Sequence, residues 1–131
     1  MVYADANILV RYIVNDDEDM ASCAEKAIDS GSLFVLPEVF AETVYVLTKV
    51  YGIERTGVAC AMLELLEFVS TSAPAVMRNA LAYYQESSLD FVDCVLASYR
   101  LIEGRKILTF DKKLNNFIAR KEAEGKTTAG K

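Results

Sequence analysis

Carboxylates are the side chains of this sequence most able to do chemistry, because its 131 residues include no histidine. That absence excludes Ser-His-Asp and Cys-His triads and histidine-ligated zinc sites. Acids, bases and metal ligands must therefore come mainly from the 19 Asp and Glu residues. Carboxylate oxygens suit hard cations such as Mg²⁺ and Mn²⁺.

Two aspartates follow predicted strands. Asp5 interrupts an otherwise uncharged run and comes directly after residues 2–4, an apolar segment predicted to be a strand. A carboxylate among apolar residues is costly to bury unless its charge is compensated. Asp111 follows a second predicted strand, residues 106–110, and fits equally well as the N-cap of the next helix. In open α/β sheets, ligands bind beyond the carboxyl ends of the strands, so both aspartates are candidate ligands.

Three further acids lie in predicted helices. Asp90 and Asp93 are three residues apart, which puts them on one helix face, although the same spacing suits a capping box. Asp93 is followed by apolar residues, which indicates that its carboxylate lies near buried structure. Glu42 falls about 40° outside the apolar arc of its helix, so periodicity alone is equally consistent with a plain surface residue.

The order of elements predicts an α/β domain with a parallel sheet, because short apolar strands alternate with longer helices. The predicted strands are residues 2–4, 32–37 and 106–110, with 70–72 a further candidate. The predicted helices are residues 6–14, 15–30, 38–51, 53–69, 74–86, 90–102 and a short one after Asp111. The acidic run 15–19 is interpreted as the solvated start of a helix, not a metal site.

Charge is unevenly distributed along the chain, whose net charge is −5. Residues 1–99 carry 5 basic and 15 acidic side chains, whereas residues 100–131 carry 9 basic and 4 acidic ones. This pattern fits either an acidic protein with a basic tail or an acidic centre beside a flank that contacts phosphates.

Cysteine usage and hydropathy predict a cytoplasmic protein outside the membrane. The three cysteines are far apart in sequence and form no CxxC pair, so we expect reduced core thiols. The longest charge-free run, residues 68–77, is too short to span a bilayer. No basic segment precedes the first apolar run, so no signal peptide is expected.

Three segments together resemble the PIN-domain nucleases, and within them the VapC-type toxins of toxin–antitoxin pairs. They are "DANILVRYIVNDD", "PEVFAETVYVL" and "LDFVDCVLASYRLIEGRKILTFDKKL", whose order and spacing follow the family over residues 1–117. The resemblance implies a single PIN-like α/β domain, residues 1–119, with a short central parallel sheet flanked by helices. A polar, flexible tail, residues 120–131, would follow.

The resemblance also implies a function and a site. It identifies the acids Asp5, Glu42, Asp93 and Asp111 as catalytic ligands of Mg²⁺ or Mn²⁺, with Asp90, Asn7 and Thr109 as accessory residues. The implied reaction is hydrolysis of an RNA phosphodiester, and the implied protein partner is a small antitoxin that blocks the site. The acidic net charge is unusual for an RNA-binding protein, but five basic residues could offset it locally: Arg100, Arg105, Lys106, Lys112 and Lys113.

Two alternatives belong to other functional classes. One is a catalytically inactive or regulatory PIN-type binding module. The other is a receiver-like signalling domain, which would need paired acids at the first strand end and a phosphoacceptor aspartate after a middle strand. Here the first strand end has one aspartate and "LFVLP" ends without any.

The breadth of one apolar helix face predicts a homodimer. In the helix predicted at residues 53–69, apolar residues cover roughly 220° of the circumference. A surface helix that faces one core needs a narrower stripe, so the surplus fits a subunit interface. A helix buried on both sides within one domain would explain the same pattern.

Overall fold

The computed structural model describes the backbone of residues 1–129 and the side chains of residues 1–125. Its sheet is a parallel pair of short strands, β1 (Val2–Tyr3) and β2 (Leu33–Phe34). Ser70 extends this pair on the far side of β2. Its carbonyl accepts a hydrogen bond from the N–H of Val35 at 2.8 Å, and its own N–H donates to the carbonyl of Leu33 at 2.9 Å. The candidate strand at residues 70–72 is thus reduced to one bridge.

The chain divides into two compact units, Met1–Pro74 and the residues from Ala75 onward. In the first unit, the first helix packs against the second and third. The helical segments of this unit are α1 (Ala6–Val14), α2 (Glu18–Asp29), α3 (Pro37–Tyr45), a π-helical turn (Val46–Val50) and α4 (Arg55–Leu65). The π-helical turn replaces the end of the single helix predicted at residues 38–51.

Local sequence signals explain where these helices begin. Asp17 caps α2 by accepting a hydrogen bond from the N–H of Met20 at 3.1 Å, and Glu18 and Asp19 occupy the first turn. This arrangement confirms the acidic run as a helix start, because carboxylates there complement the helix dipole. Pro37 stands at the first position of α3, where its missing N–H costs no hydrogen bond.

The second unit consists of helices α5 (Pro74–Glu86), α6 (Phe91–Glu103) and α7 (Lys112–Ala129). The buried hydroxyl of Ser98 donates to the carbonyl of Val76 at 2.6 Å and so joins α6 to α5. Gly104 ends α6 in the left-handed conformation with φ +68°, which glycine adopts without steric cost. Helix α6 also packs against α7.

The segment between α6 and α7 differs from the sequence-based prediction. Residues 104–111 have no regular secondary structure, although residues 106–110 were predicted to form a strand. Leu108 is 93% exposed and Phe110 is 97% exposed. A β-strand needs a neighbouring strand as its hydrogen-bond partner, and none of residues 75–129 forms a strand. The high β-propensity of residues 106–110 is therefore not sufficient to make them a strand.

The last helix is longer than predicted. It continues across the predicted boundary at residues 119 and 120 and runs to Ala129. Residues 120–129 are thus helical, and residues 130–131 lie outside the described part of the chain. The flexibility predicted for residues 120–131 stays a prediction.

Burial is distributed over both units. The largest fully buried side chains are Phe40, Leu9, Ile28, Leu47, Met62, Leu65, Met77, Leu81, Leu114, Val35, Val44 and Val58. The predicted fold class, a PIN-like α/β domain with a small parallel sheet, is confirmed. None of the described helices is long and apolar enough to cross a membrane.

The three cysteines are free thiols, but only one of them is in the core. Cys94 is buried, whereas Cys23 and Cys60 are exposed. The expectation of three core thiols is therefore wrong for those two, which lie on the exposed sides of α2 and α4.

Candidate active site

Asp5 lies between β1 and α1 and caps the helix. Its Oδ1 accepts a hydrogen bond from the N–H of Ile8 at 3.1 Å. Its side chain is exposed, and so are Val2 and Tyr3 before it. The premise that Asp5 is a carboxylate in an apolar interior is therefore wrong. The cap explains its backbone position and leaves its function as a ligand open. Asn7, in the first turn of α1, is also exposed.

Glu42 lies on the exposed side of α3. The next residue, Thr43, is fully buried, and its hydroxyl donates to the carbonyl of Val39 at 2.7 Å. Helix α3 packs against α1, the helix that Asp5 caps. Glu42 and Asp5 thus belong to neighbouring helices of the first unit, and the exposure of Glu42 fits both a ligand and a plain surface residue.

Asp111 is held firmly at the start of α7. Its Oδ1 accepts a hydrogen bond from the N–H of Leu114 at 2.9 Å, which confirms the N-cap interpretation. Its own N–H donates to the hydroxyl of Thr109 at 3.1 Å. The amide of Asn115 donates to the carbonyl of Thr109 at 2.9 Å, so the turn is closed from both sides. These contacts fix the direction of the Asp111 carboxylate and give Thr109 a positioning role.

Asp93 has an unusual electrostatic environment. It lies in the first turn of α6 and is half-buried. Burial raises the pKa of Asp93, and the negative charges of Asp111 and Asp90 raise it further, while Lys113 acts in the opposite direction. Burial and the two neighbouring carboxylates therefore disfavour the ionised form of Asp93 more than Lys113 favours it. Carboxyl groups perturbed in this way occur preferentially at functional sites.

Three of the acids predicted for the site belong to the second unit. The charges of Asp90, Asp93 and Asp111 interact, whereas Asp5 and Glu42 belong to the first unit. Among the described residues, no three Asp, Glu or Cys side chains form a group that could hold a metal ion. The four-acid metal site therefore stays a prediction.

The basic candidates have different surroundings. Arg100 forms an ion pair with Glu122 at 2.9 Å, and Arg105 forms one with Glu103 at 3.3 Å. Lys106 and Lys112 are exposed. The ammonium group of Lys113, also exposed, donates to the carbonyl of Ser88 at 2.9 Å. Lys113 is thus the basic candidate that is both fixed in place and electrostatically coupled to Asp93.

Two polar residues beside Lys113 were missed by the sequence analysis. Asn116 and Arg120 follow Lys113 at helical spacing on α7, and all three side chains line one surface cavity. Their i, i+3, i+7 spacing could have identified them, but Arg120 was assigned to a tail because the predicted helix was too short.

Comparison with known proteins identifies the family. The profile of the PIN domain matches residues 2–119, which is most of the chain. No curated protein and no solved structure gives a significant match. The PIN domain is a nuclease-type fold, and the matched range contains the candidate acids Asp5, Glu42, Asp90, Asp93 and Asp111. The chain belongs to the PIN domain family.

Proposed function

We propose that this protein is a metal-dependent endoribonuclease that acts as the toxin of a type II toxin–antitoxin pair. Membership of the PIN family supports the nuclease class. The observation that carries the proposal is the environment of Asp93. A half-buried carboxylate whose pKa is raised by burial and by Asp111 and Asp90 is suited to a site that takes up positive charge.

The chemistry of the donors fits a hard divalent cation. All four proposed ligands, Asp5, Glu42, Asp93 and Asp111, offer carboxylate oxygens, which Mg²⁺ and Mn²⁺ prefer. When bound, the ion supplies Lewis acidity toward water and positive charge against the charge that develops on the phosphate. A cation beside Asp93 would also relieve the repulsion that raises the pKa of its carboxyl group.

The reaction would be hydrolysis of an RNA phosphodiester. A water oxygen forms a bond to phosphorus, one P–O ester bond breaks, and the leaving oxygen takes up a proton. Thr109 and Leu114 hold Asp111 in one orientation through their hydrogen bonds. Asn7 and Thr109 are proposed to orient water or substrate beside the acids, and Asp90 is proposed to add negative charge near Asp93.

The direct test is RNA cleavage by the purified protein with Mg²⁺, with Mn²⁺ and with a chelator. We expect cleavage with either metal and none in chelator. Asp93→Asn and Asp5→Asn should each lower the rate by at least about a hundredfold, the usual scale for an essential electrostatic group. Asp19→Asn, at an exposed acid in the first turn of α2, is the matched control and should retain full activity. Cleavage that persists in chelator, or in both site variants, would contradict the proposal.

An inactive PIN-type binding module is the second candidate function. The observation that favours it is the lack of a three-ligand acidic group among the described residues. Such a module would bind RNA without cleaving it in either metal. The cleavage assay therefore separates the two candidates. Since the chain belongs to the PIN family, the receiver-like alternative is set aside.

The toxin role adds partners and a location to the proposal. A toxin of this type would act in the cytoplasm, be inhibited by a small antitoxin and form a homodimer. A short upstream gene that encodes a DNA-binding start and an amphipathic end would support the pairing. Co-expression of that gene product should abolish RNA cleavage, and unchanged cleavage would contradict the pairing.

A further inference from the structure

A groove lined by both polar and apolar side chains runs along one face of α7 in the second unit. Its volume is about 460 Å³, and it lies between α7 and the loop that joins α5 to α6. Lys113, Asn116, Phe117 and Arg120 line it from α7, and Ser88 lines it from the loop. The spacing i, i+3, i+4, i+7 puts the four helical residues on one side of α7. From Lys113 to Arg120 the groove is about 10 Å long.

Positive charge dominates the lining of this groove. Glu86 also lines it, but its carboxylate pairs with the ammonium group of Lys121 at 2.7 Å. Lys113 uses one of its three donors on the carbonyl of Ser88, which fixes the ammonium group at the rim and leaves two donors. Arg120 forms an ion pair with Glu124 at 3.9 Å, a distance too long for a hydrogen bond, so its N–H donors are not used there. Both cations retain donors for an anion.

The Arg120 guanidinium group also offers a flat surface. It lies over the ring of Phe117, 5.2 Å from the centroid, and Phe117 is buried. This contact positions the guanidinium group over an aromatic face, and the Arg120 side chain is 58% exposed, so a ligand can reach it. Unpaired RNA bases stack on arginine planes, and the amide of Asn116 adds a donor and an acceptor for a base edge.

The groove begins at the first turn of α7, beside the N-cap residue Asp111. Lys113 lies two residues after Asp111 and is held to the loop before α6 by the carbonyl of Ser88. One end of the groove is therefore next to Asp111, and Arg120 marks the other end. A strand bound along α7 would pass from Asp111 to Arg120.

We propose that this groove binds single-stranded RNA next to the cleaved phosphodiester, with Lys113 on a backbone phosphate and Arg120 stacked on a base. This inference rests on the proposed ribonuclease function and names the surface that positions its substrate. An acidic peptide would satisfy the two cations, but its carboxylate side chains offer no aromatic base to stack on the Arg120 guanidinium group. This difference favours RNA.

The test measures binding separately from cleavage. Fluorescence anisotropy in chelator gives the affinity of the full chain for a labelled single-stranded RNA at several salt concentrations. Lys113→Gln and Arg120→Gln should each weaken binding about tenfold, as expected for the loss of a charged hydrogen bond and of a stacked base, respectively. Lys113→Gln should also reduce the salt slope by about 0.7, because one phosphate contact is lost, whereas Arg120→Gln removes a base contact and should change the slope less. Arg78→Gln, at an exposed arginine of α5, is the matched control and should change neither quantity.

Further variants and ligands make each outcome decisive. Lys113→Arg should restore the salt slope, because it keeps the charge, and Arg120→Gln carries the test alone if Lys113→Gln fails to fold. Wild-type RNA cleavage with unchanged RNA binding in both variants would overturn the groove and leave the proposed function standing. Polyglutamate that binds as tightly as RNA, with the same losses, would assign the groove to acidic proteins and overturn the RNA proposal. Wild-type protein that neither binds nor cleaves RNA would overturn both proposals.

Discussion

Asp93 is the residue at which local electrostatics and function are most closely linked. Its half-buried carboxyl group has a raised pKa because burial and the charges of Asp111 and Asp90 disfavour the ionised form. A carboxyl group whose pKa is higher in the folded state stabilises the fold below the unfolded pKa, and that contribution is lost as pH rises through the folded pKa. At neutral pH the ionised Asp93 therefore lowers the stability of the metal-free protein.

Asp93→Asn should accordingly stabilise the metal-free fold while abolishing cleavage. Removing the charge at pH 7 should raise the free energy of unfolding by about 1 kcal/mol after solvent screening. The gain should shrink as pH falls below the folded pKa of Asp93, because the wild-type carboxyl group is then protonated as well. Thermal unfolding in chelator, from pH 3 to pH 8, measures this difference between variant and wild type.

Asp5→Asn is the matched control for that measurement. Asp5 is an exposed N-cap, and asparagine caps helices about as well as aspartate, so stability should hardly change. Addition of Mg²⁺ should raise the melting temperature of the wild type more than that of either variant. If Asp93→Asn melts below the wild type at pH 7 in chelator, the charge at Asp93 is not destabilising and the interpretation of its environment is wrong.

At the scale of elements, the predictable features are those that depend on neighbouring residues. Asp17, Pro37 and Gly104 each mark a helix end through their own backbone or side-chain chemistry, and each lies within two residues of a predicted helix boundary. The segment at residues 106–110 failed as a strand because pairing depends on distant chain, which propensity does not report. The turn around Thr109 and Asp111 was predicted only in part, since its two added hydrogen bonds need a folded loop.

Variants of Asp111 should separate its structural role from its chemical one. Asp111→Ala removes the acceptor for the N–H of Leu114 and should cost about 1 kcal/mol of stability. Asp111→Asn keeps an acceptor and should leave stability nearly unchanged. Both variants should lose metal-dependent cleavage, because neither has a carboxylate. Urea unfolding and the RNA assay measure the two effects, and an active Asp111→Asn variant would show that Asp111 serves only as a cap.

At the scale of the whole molecule, the order of the motifs was more informative than any one of them. Asp5, Glu42, Asp93 and Asp111 each had a structural explanation, and two of them, Asp5 and Asp111, are indeed helix caps. The match to the PIN family nevertheless spans residues 2–119 and so includes all four. A residue can cap a helix with one carboxylate oxygen and still offer the other to a ligand. Local roles therefore do not decide between structure and catalysis.

The prediction of a homodimer rests on the broad apolar surface of helix α4. Much of its broad apolar arc is buried within the chain, including Val58, Met62 and Leu65. That burial accounts for part of the surplus that the sequence assigned to a subunit interface. Phe68, just after α4, is still 49% exposed, and exposed Cys60 lies on the same helix. The exposed apolar surface on and just after α4 is therefore narrower than the sequence pattern indicated, and Phe68 is its large exposed side chain.

We expect a dimer at micromolar concentration in multi-angle light scattering, with Phe68 at the interface. Large aromatic residues dominate interface energetics, so Phe68→Asp should convert the dimer to a monomer at the same concentration. Val92→Asp replaces a residue of α6 that is 57% exposed, and it should leave the dimer intact. Because both variants add one exposed charge, a difference between them reports position and not charge. A wild-type monomer would show that the breadth of the α4 arc reflects burial within one chain, the alternative that the sequence left open.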